Sequence, residues 1–78
     1  MHEEVNFLIK DFKVKQLIQV CYDINNHDTK KREVRALRKA SRELKCKDLI
    51  VITEDYESVE EHERKKIKFI PLWKWLLE

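Results

Sequence analysis

An unbroken apolar run, Leu49-Ile50-Val51-Ile52, is the feature that most constrains the fold. Short runs of this kind, rich in β-branched residues, are typical of a central strand covered on both faces of its sheet. The run follows a segment of helical periodicity that extends to about Lys45, with Asp28 or Thr29 predicted as its N-cap. The apolar residues of this helix recur at steps of three, three and four: Val34, Leu37, Ala40 and Leu44.

Two segments before the helix alternate between faces, as β-strands do. Residues 4–10 form the first and residues 15–22 the second, and together they predict a hairpin. The second strand, the helix and the strand at 48–53 then form a βαβ unit, in which the two strands are parallel and the crossover is right-handed.

The last third of the chain opens with an acidic segment, 54–61, in which Val59 is the only aliphatic residue. This segment predicts a weak, exposed strand that turns at 62–64 and returns through 66–70. Pro71 suits the first turn of a final helix. The whole chain is therefore predicted to be one α/β domain, built on a small mixed β-sheet in the order ββαββ(β)α.

The charge composition indicates a hot habitat more clearly than it indicates a partner. Lys and Arg number 17 against 15 Asp and Glu, so the formal net charge is only +2, too slight by itself to imply a nucleic-acid partner. Charged residues make up 41% of the chain, and glycine is absent. Dense ion pairing is typical of hyperthermophilic proteins, because charges lose less to desolvation at high temperature. We therefore expect a hyperthermophilic source.

The placement of cysteine and histidine argues against a metal site. Cys21 and Cys46 have no C-x-x-C spacing and are predicted to be free, buried thiols, with a disulfide as the alternative open to a hyperthermophile. The three histidines, His2, His27 and His62, fall in separate elements, so no zinc site is predicted. No apolar run approaches the ~20 residues that cross a bilayer, and no signal peptide is evident, so we predict a cytoplasmic protein without a membrane partner.

Four segments carry a resemblance to a known family. They are Glu4-Val5-Asn6-Phe7, Leu17-Ile18-Gln19-Val20, Thr53-Glu54-Asp55 and Ile70-Pro71-Leu72-Trp73-Lys74-Trp75. They resemble the restriction-endonuclease-like PD-(D/E)XK domain at the C-terminus of prokaryotic AAA+ type ATPases, archaeal members especially, across residues 3–78. The resemblance implies a nuclease-like fold that lacks its first helix. No ATPase domain is expected, because a phosphate-binding loop needs glycine. The chain is expected to be a short, free-standing relative or a terminal fragment of a longer protein.

The resemblance also locates a catalytic site whose residues have been replaced. Its metal-binding aspartate falls on Asn6, its second acidic residue on Gln19 and its lysine on Cys21. Glu4 remains as the one carboxylate. Magnesium needs anionic oxygens, which two neutral amides do not provide. We therefore predict no enzyme activity, no metal and no cofactor, with a metal-dependent nuclease as the most distant alternative. The simplest role for Asn6 and Gln19 is a hydrogen bond to each other across the hairpin.

A basic row follows the long helix at steps of four, three, four and three, which places its members on one face, away from the apolar residues. The members are Lys31, Arg35, Arg38, Arg42 and Lys45, diluted only by Glu33 and Glu43. The basic row could contact DNA phosphates, or it could be a solvated face. A third alternative is that the acidic segment 54–63 of a neighbouring copy, or another protein, lies against it.

The final segment combines two tryptophans with leucines on a helix too short to be stable alone. We expect at least one tryptophan to close the core, and we expect Trp73, Trp75 and Leu76 to supply an interface. A two-fold homodimer is predicted. The predicted function is a non-catalytic nuclease-fold module for assembly, by self-association or by docking on an ATPase or other protein. The alternative is a non-specific nucleic-acid-binding module that uses the basic row.

Overall fold

A mixed β-sheet of five strands carries one helix on each face in the computed structural model, which describes the backbone of residues 5–10 and 13–77 and the side chains of residues 14–77. The elements are β1 Val5–Lys10, β2 Lys13–Val20, α1 His27–Leu44, β3 Leu49–Thr53, β4 Ser58–His62, β5 Lys65–Pro71 and α2 Leu72–Leu77. The predicted α/β class, mixed sheet and order of elements are confirmed. Within the described residues, neither helix combines the length and the apolar character needed to cross a bilayer.

The strands lie side by side in the order β1-β2-β3-β5-β4. β1 and β2 form an antiparallel hairpin, and β4 and β5 form another. β3 lies between β2 and β5 and runs parallel to both. The predicted βαβ unit is thus present, with β2 and β3 as parallel neighbours joined through α1.

The core has two layers, because the central strand β3 is covered on both faces. All five residues of Leu49–Thr53 are buried, as the unbroken apolar run predicts. The helix α1 packs on one face through Val34 and Leu37. The strand residues beneath it include Leu17, Leu49, Val51, Ile67 and Phe69. The helix α2 packs on the other face through Leu72 and Trp75. The strand residues of this second layer are Ile18, Ile50, Ile52 and Ile70.

The helix α1 lies where it was predicted, but its N-cap differs. The side chain of Asn26 accepts a hydrogen bond of 3.0 Å from the backbone N–H of Thr29. The prediction of Asp28 or Thr29 as N-cap is therefore wrong, because Asn26 has the extended backbone and the accepting side chain that begin a helix. Leu44 is 41% exposed in the last turn, so the buried stripe ends before it, contrary to prediction.

The connection between β4 and β5 is a tight turn at the predicted place. Glu63 and Arg64 form it between the paired residues His62 and Lys65, with φ angles of 48° and 70°. Two-residue hairpin turns of this kind normally take Asn or Gly, because other residues are strained at positive φ. β5 then runs to Pro71 and α2 begins at the next residue, so Pro71 ends a strand instead of entering the first turn of the helix as predicted.

Candidate functional site

Two buried polar side chains face each other between the sheet and α1. The alternation of β2 turns Gln19 toward the helix, where it is 1% exposed, and Glu33 of α1 is 2% exposed. The Nε2 of Gln19 donates a hydrogen bond to Oε2 of Glu33. The Oε1 of Gln19 is buried and has no hydrogen-bond partner among the residues that the structure describes. Gln19, to which the resemblance assigns the second acidic position, is therefore an amide whose partner is a glutamate of the helix.

The predicted hydrogen bond between Gln19 and Asn6 is wrong. The register of the first hairpin pairs Gln19 with Val5 and pairs Asn6 with Ile18. Because directly opposed residues of neighbouring strands share one face of a sheet, positions 6 and 19 belong to opposite faces. Glu4, the remaining carboxylate of the pattern, lies outside the described residues.

Glu33 is the residue of this site that the sequence did not single out. It does not dilute the basic row as predicted, because it lies on the buried face of α1. That face repeats every four residues: Thr29, Glu33, Leu37 and Ser41. The four-residue spacing is readable in the sequence, but glutamate is so seldom fully buried that the apolar neighbour Val34 is the more natural choice for the core.

Cys21, to which the resemblance assigns the position of a lysine, is a neutral buried thiol just after β2. It is 5% exposed, and its backbone N–H donates to the carbonyl oxygen of Ile52 at 2.8 Å. Burial, followed by the nearby carboxylates of Glu33 and Asp23, raises the pKa of Cys21. Cys21 and Cys46 are both free and buried, as predicted. Among the described residues, no three His, Cys, Asp or Glu side chains are grouped so that they could hold a metal ion.

Four members of the basic row are exposed as predicted, and the fifth is not. Lys31, Arg35, Arg42 and Lys45 are exposed and have no ion-pair partner within the described part of the chain. The side chain of Arg38 is only 22% exposed and pairs with the carboxylate of Glu63 in the β4–β5 turn. The row is therefore an open cationic surface with one member tied to the neighbouring hairpin.

Acidic residues of the second hairpin are engaged within the chain. Both carboxylate oxygens of Glu60 lie 2.9 Å from Nζ of Lys30, and Glu63 pairs with Arg38. These two ion pairs join α1 to β4 and its turn. The expectation that the acidic segment is exposed fails at Glu60, whose side chain is 19% exposed, because β4 turns this residue toward α1.

Glu60 collects three hydrogen bonds. Besides Lys30, the hydroxyl of Tyr56 donates to it, and Nε2 of His62 lies 2.8 Å from its Oε1. Burial alone would raise the pKa of Glu60, but the hydrogen bonds from Tyr56, Lys30 and His62 outweigh burial and lower the pKa from 4.5 to about 2. The same contact raises the pKa of Lys30 despite its burial.

The hydrogen bonds to Glu60 predict that the stability of the fold decreases at acid pH. Because the folded pKa of Glu60 lies below the ordinary 4.5, its contribution is complete above that pH and is lost as the pH falls toward about 2. Between about pH 7 and about pH 3, the free energy of unfolding of the native protein should fall by about 1–2 kcal/mol more than that of Glu60→Gln. Urea denaturation at both pH values measures the difference, and parallel pH profiles would contradict the assignment.

The short helix α2 divides its side chains between the core and the surface. Trp75 packs against the second layer of the core, which confirms that one tryptophan closes it. Trp73 is 61% exposed, and Leu76 and Leu77 are still more exposed. Val20 and Tyr22 of the adjoining sheet region are also about half exposed. We call these residues the apolar patch: Val20, Tyr22, Trp73, Leu76 and Leu77.

A cleft lies beside Trp73, next to the exposed residues of the apolar patch. It is lined by Tyr22, Glu54, Leu72 and Trp73 and has a volume of about 480 Å³. Leu76 and Leu77 follow Trp73 at helical spacings of three and four, so they lie along the same side of α2. The patch therefore combines exposed leucines with an adjacent cleft. Of the predicted interface residues, Trp73 and Leu76 belong to this surface and Trp75 belongs mainly to the core.

Comparison with known proteins identifies one informative relative. The uncharacterized protein MJ1544 of Methanocaldococcus jannaschii is 40% identical over 80 residues, which cover 95% of this chain and 18% of that protein. The chain thus spans less than a fifth of the length of the relative. No family model and no solved structure matches the chain. The relative comes from a hyperthermophilic archaeon, in agreement with the habitat that the charge composition predicts.

Proposed function

We propose that this chain is a non-catalytic module of restriction-endonuclease-like fold whose role is assembly, by self-association into a two-fold dimer. The observation that carries the proposal is the apolar patch. Large side chains exposed together on one surface of a small protein mark an interaction site more often than a solvated face. Trp73 is the expected anchor, because tryptophan is enriched among the residues that contribute most to protein interfaces.

Two features support the proposal that the fold is nuclease-like and has lost its catalytic activity. The hairpin β1–β2, the helix α1 and the parallel strand β3 follow one another in the order that the resemblance implies. At the catalytic positions that the structure describes, Gln19 and Cys21 are both uncharged and buried. Of the nearby carboxylates, the buried one, Glu33, already accepts a hydrogen bond from Gln19. Hydrolysis by two metal ions needs several anionic ligands, so this arrangement favours a binding role.

A second copy of the chain is the occupant that fits the apolar patch best. An isologous two-fold interface requires one surface to carry both a projection and a matching hollow. In the proposed dimer, the exposed Leu76 and Leu77 are the projection and the cleft beside Trp73 is the hollow. Its rim carries both signs of charge, since Lys74 pairs with Glu57 there, so no strong repulsion opposes the approach of a second copy. Docking of the same patch on an ATPase or other protein is the competing form, and it predicts a monomer in isolation.

Sedimentation equilibrium over about 1–500 µM tests self-association, because a dimer dissociates with dilution. We expect the native chain to approach twice the 9.6 kDa monomer mass. Leu76→Asp should weaken the dimer by about tenfold or more, since it buries a charge in the interface. Val59→Asp is the matched control, because Val59 is 69% exposed on the edge strand β4, outside the patch, and should leave the mass unchanged. A native monomer throughout the range would contradict the proposal.

Nucleic-acid binding is the second candidate, and one observation favours it. Lys65, the first residue of β5, lines a cleft together with Arg35, Arg38 and Arg42 of α1 and with Glu63, so the cationic surface extends beyond α1. Anisotropy of a short labelled duplex, at low and at physiological salt, tests this candidate. Micromolar binding that weakens steeply with salt supports it, and Arg35→Glu/Arg42→Glu should then abolish binding. Absence of binding at low salt would remove it.

A further inference from the structure

A cleft of about 330 Å³ lies between the first half of α1 and the turn of the second hairpin. It is on the sheet face opposite the apolar patch, since α1 and α2 cover different faces. Its lining residues are His27, Lys30, Lys31, Val34, Arg38, His62 and Glu63. The cleft is thus rich in groups that donate hydrogen bonds to anions, with Val34 as an apolar part of its wall.

The cations of this cleft are not equally available to a ligand. Lys30 is held at 2.9 Å by Glu60, so its charge is already compensated. Lys31 is exposed and has no ion-pair partner within the described residues. Within the part of the chain that the structure describes, Arg38 has Glu63 as its only ion-pair partner, and its Nε is buried without a hydrogen-bond acceptor. Arg38 is therefore an incompletely satisfied guanidinium at the edge of the cleft.

The ion pair between Glu63 and Arg38 is easily broken. Its side chain is 80% exposed, and an exposed ion pair of this kind contributes only about 0–1 kcal/mol. The carboxylate can therefore leave Arg38 at little cost. A phosphate group can replace it with more acceptor oxygens in the geometry that suits a guanidinium, which presents several N–H donors in one plane.

We propose that this cleft binds a phosphate monoester, whose phosphate group takes the place of the Glu63 carboxylate on Arg38. Lys31 supplies the second positive charge, and the cleft beside Val34 accommodates the organic part. The ligand class is defined by its chemistry, a phosphate dianion on a small organic group. The proposal is independent of assembly, because it uses the opposite face of the sheet.

Isothermal titration calorimetry at low salt tests the site with adenosine 5′-monophosphate, inorganic phosphate and adenosine as probes. We expect the monophosphate to bind more tightly than inorganic phosphate, and adenosine not to bind. Equal affinity for the monophosphate and inorganic phosphate would overturn the monoester assignment. Binding of adenosine alone would overturn the role of the phosphate group.

Two charge-matched variants separate this site from a diffuse cationic surface. Arg38→Gln should weaken monophosphate binding by about tenfold or more, because it removes charge-assisted hydrogen bonds. Lys39→Gln removes one positive charge from the same helix but from a residue that does not line the cleft, so the affinity should stay within about twofold. Equal losses in the two variants would overturn the proposal.

Glu63→Gln is expected to change the affinity for the monophosphate in the opposite direction. It removes the competing carboxylate without removing a ligand contact, so monophosphate affinity should rise by about two- to fivefold. Unchanged or weaker binding would show that Glu63 does not occupy the phosphate position. Far-UV circular dichroism of all three variants checks that each one folds. If Arg38→Gln does not fold, Glu63→Gln still tests the proposal.

Discussion

Phe69→Ala is expected to lower the free energy of unfolding by about 3–5 kcal/mol. Phe69 is fully buried in β5, under α1. Its ring packs edge-on against Tyr56 at 5.5 Å between centroids, and Nζ of Lys30 lies 5.2 Å from its centre. Truncation would remove the transfer free energy of the ring, leave a cavity and withdraw both aromatic contacts. A domain of this size has a total stability of about 4–12 kcal/mol, so this loss would remove about a quarter of it or more.

Urea denaturation followed by far-UV circular dichroism measures this loss. Val59→Ala is the control, because Val59 is also an apolar strand residue but is 69% exposed on β4. The control should change stability by less than about 0.5 kcal/mol. A loss below about 1 kcal/mol for Phe69→Ala would mean that this side chain is not at the centre of the core.

Gln19→Leu is expected to cost about 3 kcal/mol although it adds apolar volume to a buried position. The reason is Glu33, which would keep its buried carboxylate and lose the Nε2 donor of Gln19. Among the residues that the structure describes, the cation paired with Glu33 is Arg32, whose Nε lies 3.9 Å away on a half-exposed side chain and compensates the carboxylate only weakly. An isolated buried charge is among the most destabilising changes a core can receive.

The double variant Gln19→Leu/Glu33→Leu supplies the decisive comparison. Replacing both polar partners by apolar side chains of similar volume removes the unpaired group, so stability should return to within about 1 kcal/mol of the native protein or exceed it. The coupling free energy of this double-mutant cycle is therefore expected to be large. Additive losses in the two single variants would show that Gln19 and Glu33 do not interact in the folded state.

The fold could be predicted from local patterns, because each pattern depends on residues that are close together in the sequence. The unbroken run at Leu49–Thr53 predicts a strand buried on both faces, and that strand is central in the sheet. The position of the turn at Glu63 and Arg64 follows from the polar residues between two alternating segments. The predictions of the N-cap and of the end of the buried stripe of α1 were less accurate. For the N-cap, the reason is that several polar residues near Asn26 could each cap a helix.

The candidate site was less predictable because its contacts join distant parts of the chain. The resemblance assigned Gln19 to an acidic position of a nuclease site, but it did not predict that the amide donates to Glu33, 14 residues away. The basic row is a true surface of α1, yet its spacing cannot tell which cation lies over the second hairpin. Arg38 and Glu63 are 25 residues apart, and Lys30 and Glu60 are 30 apart.

The order of the elements, the parallel β2–α1–β3 unit, the exposure of most of the basic row and the burial of both cysteines could all be read from the amino-acid sequence. These features follow from hydrophobic periodicity, which depends on residues a few positions apart. The partner of each charged or polar group emerged only in the folded chain: Glu33 for Gln19, Glu60 for Lys30 and Glu63 for Arg38. These pairings depend on how α1 lies across the sheet, because helix packing is set by the shapes of both surfaces together.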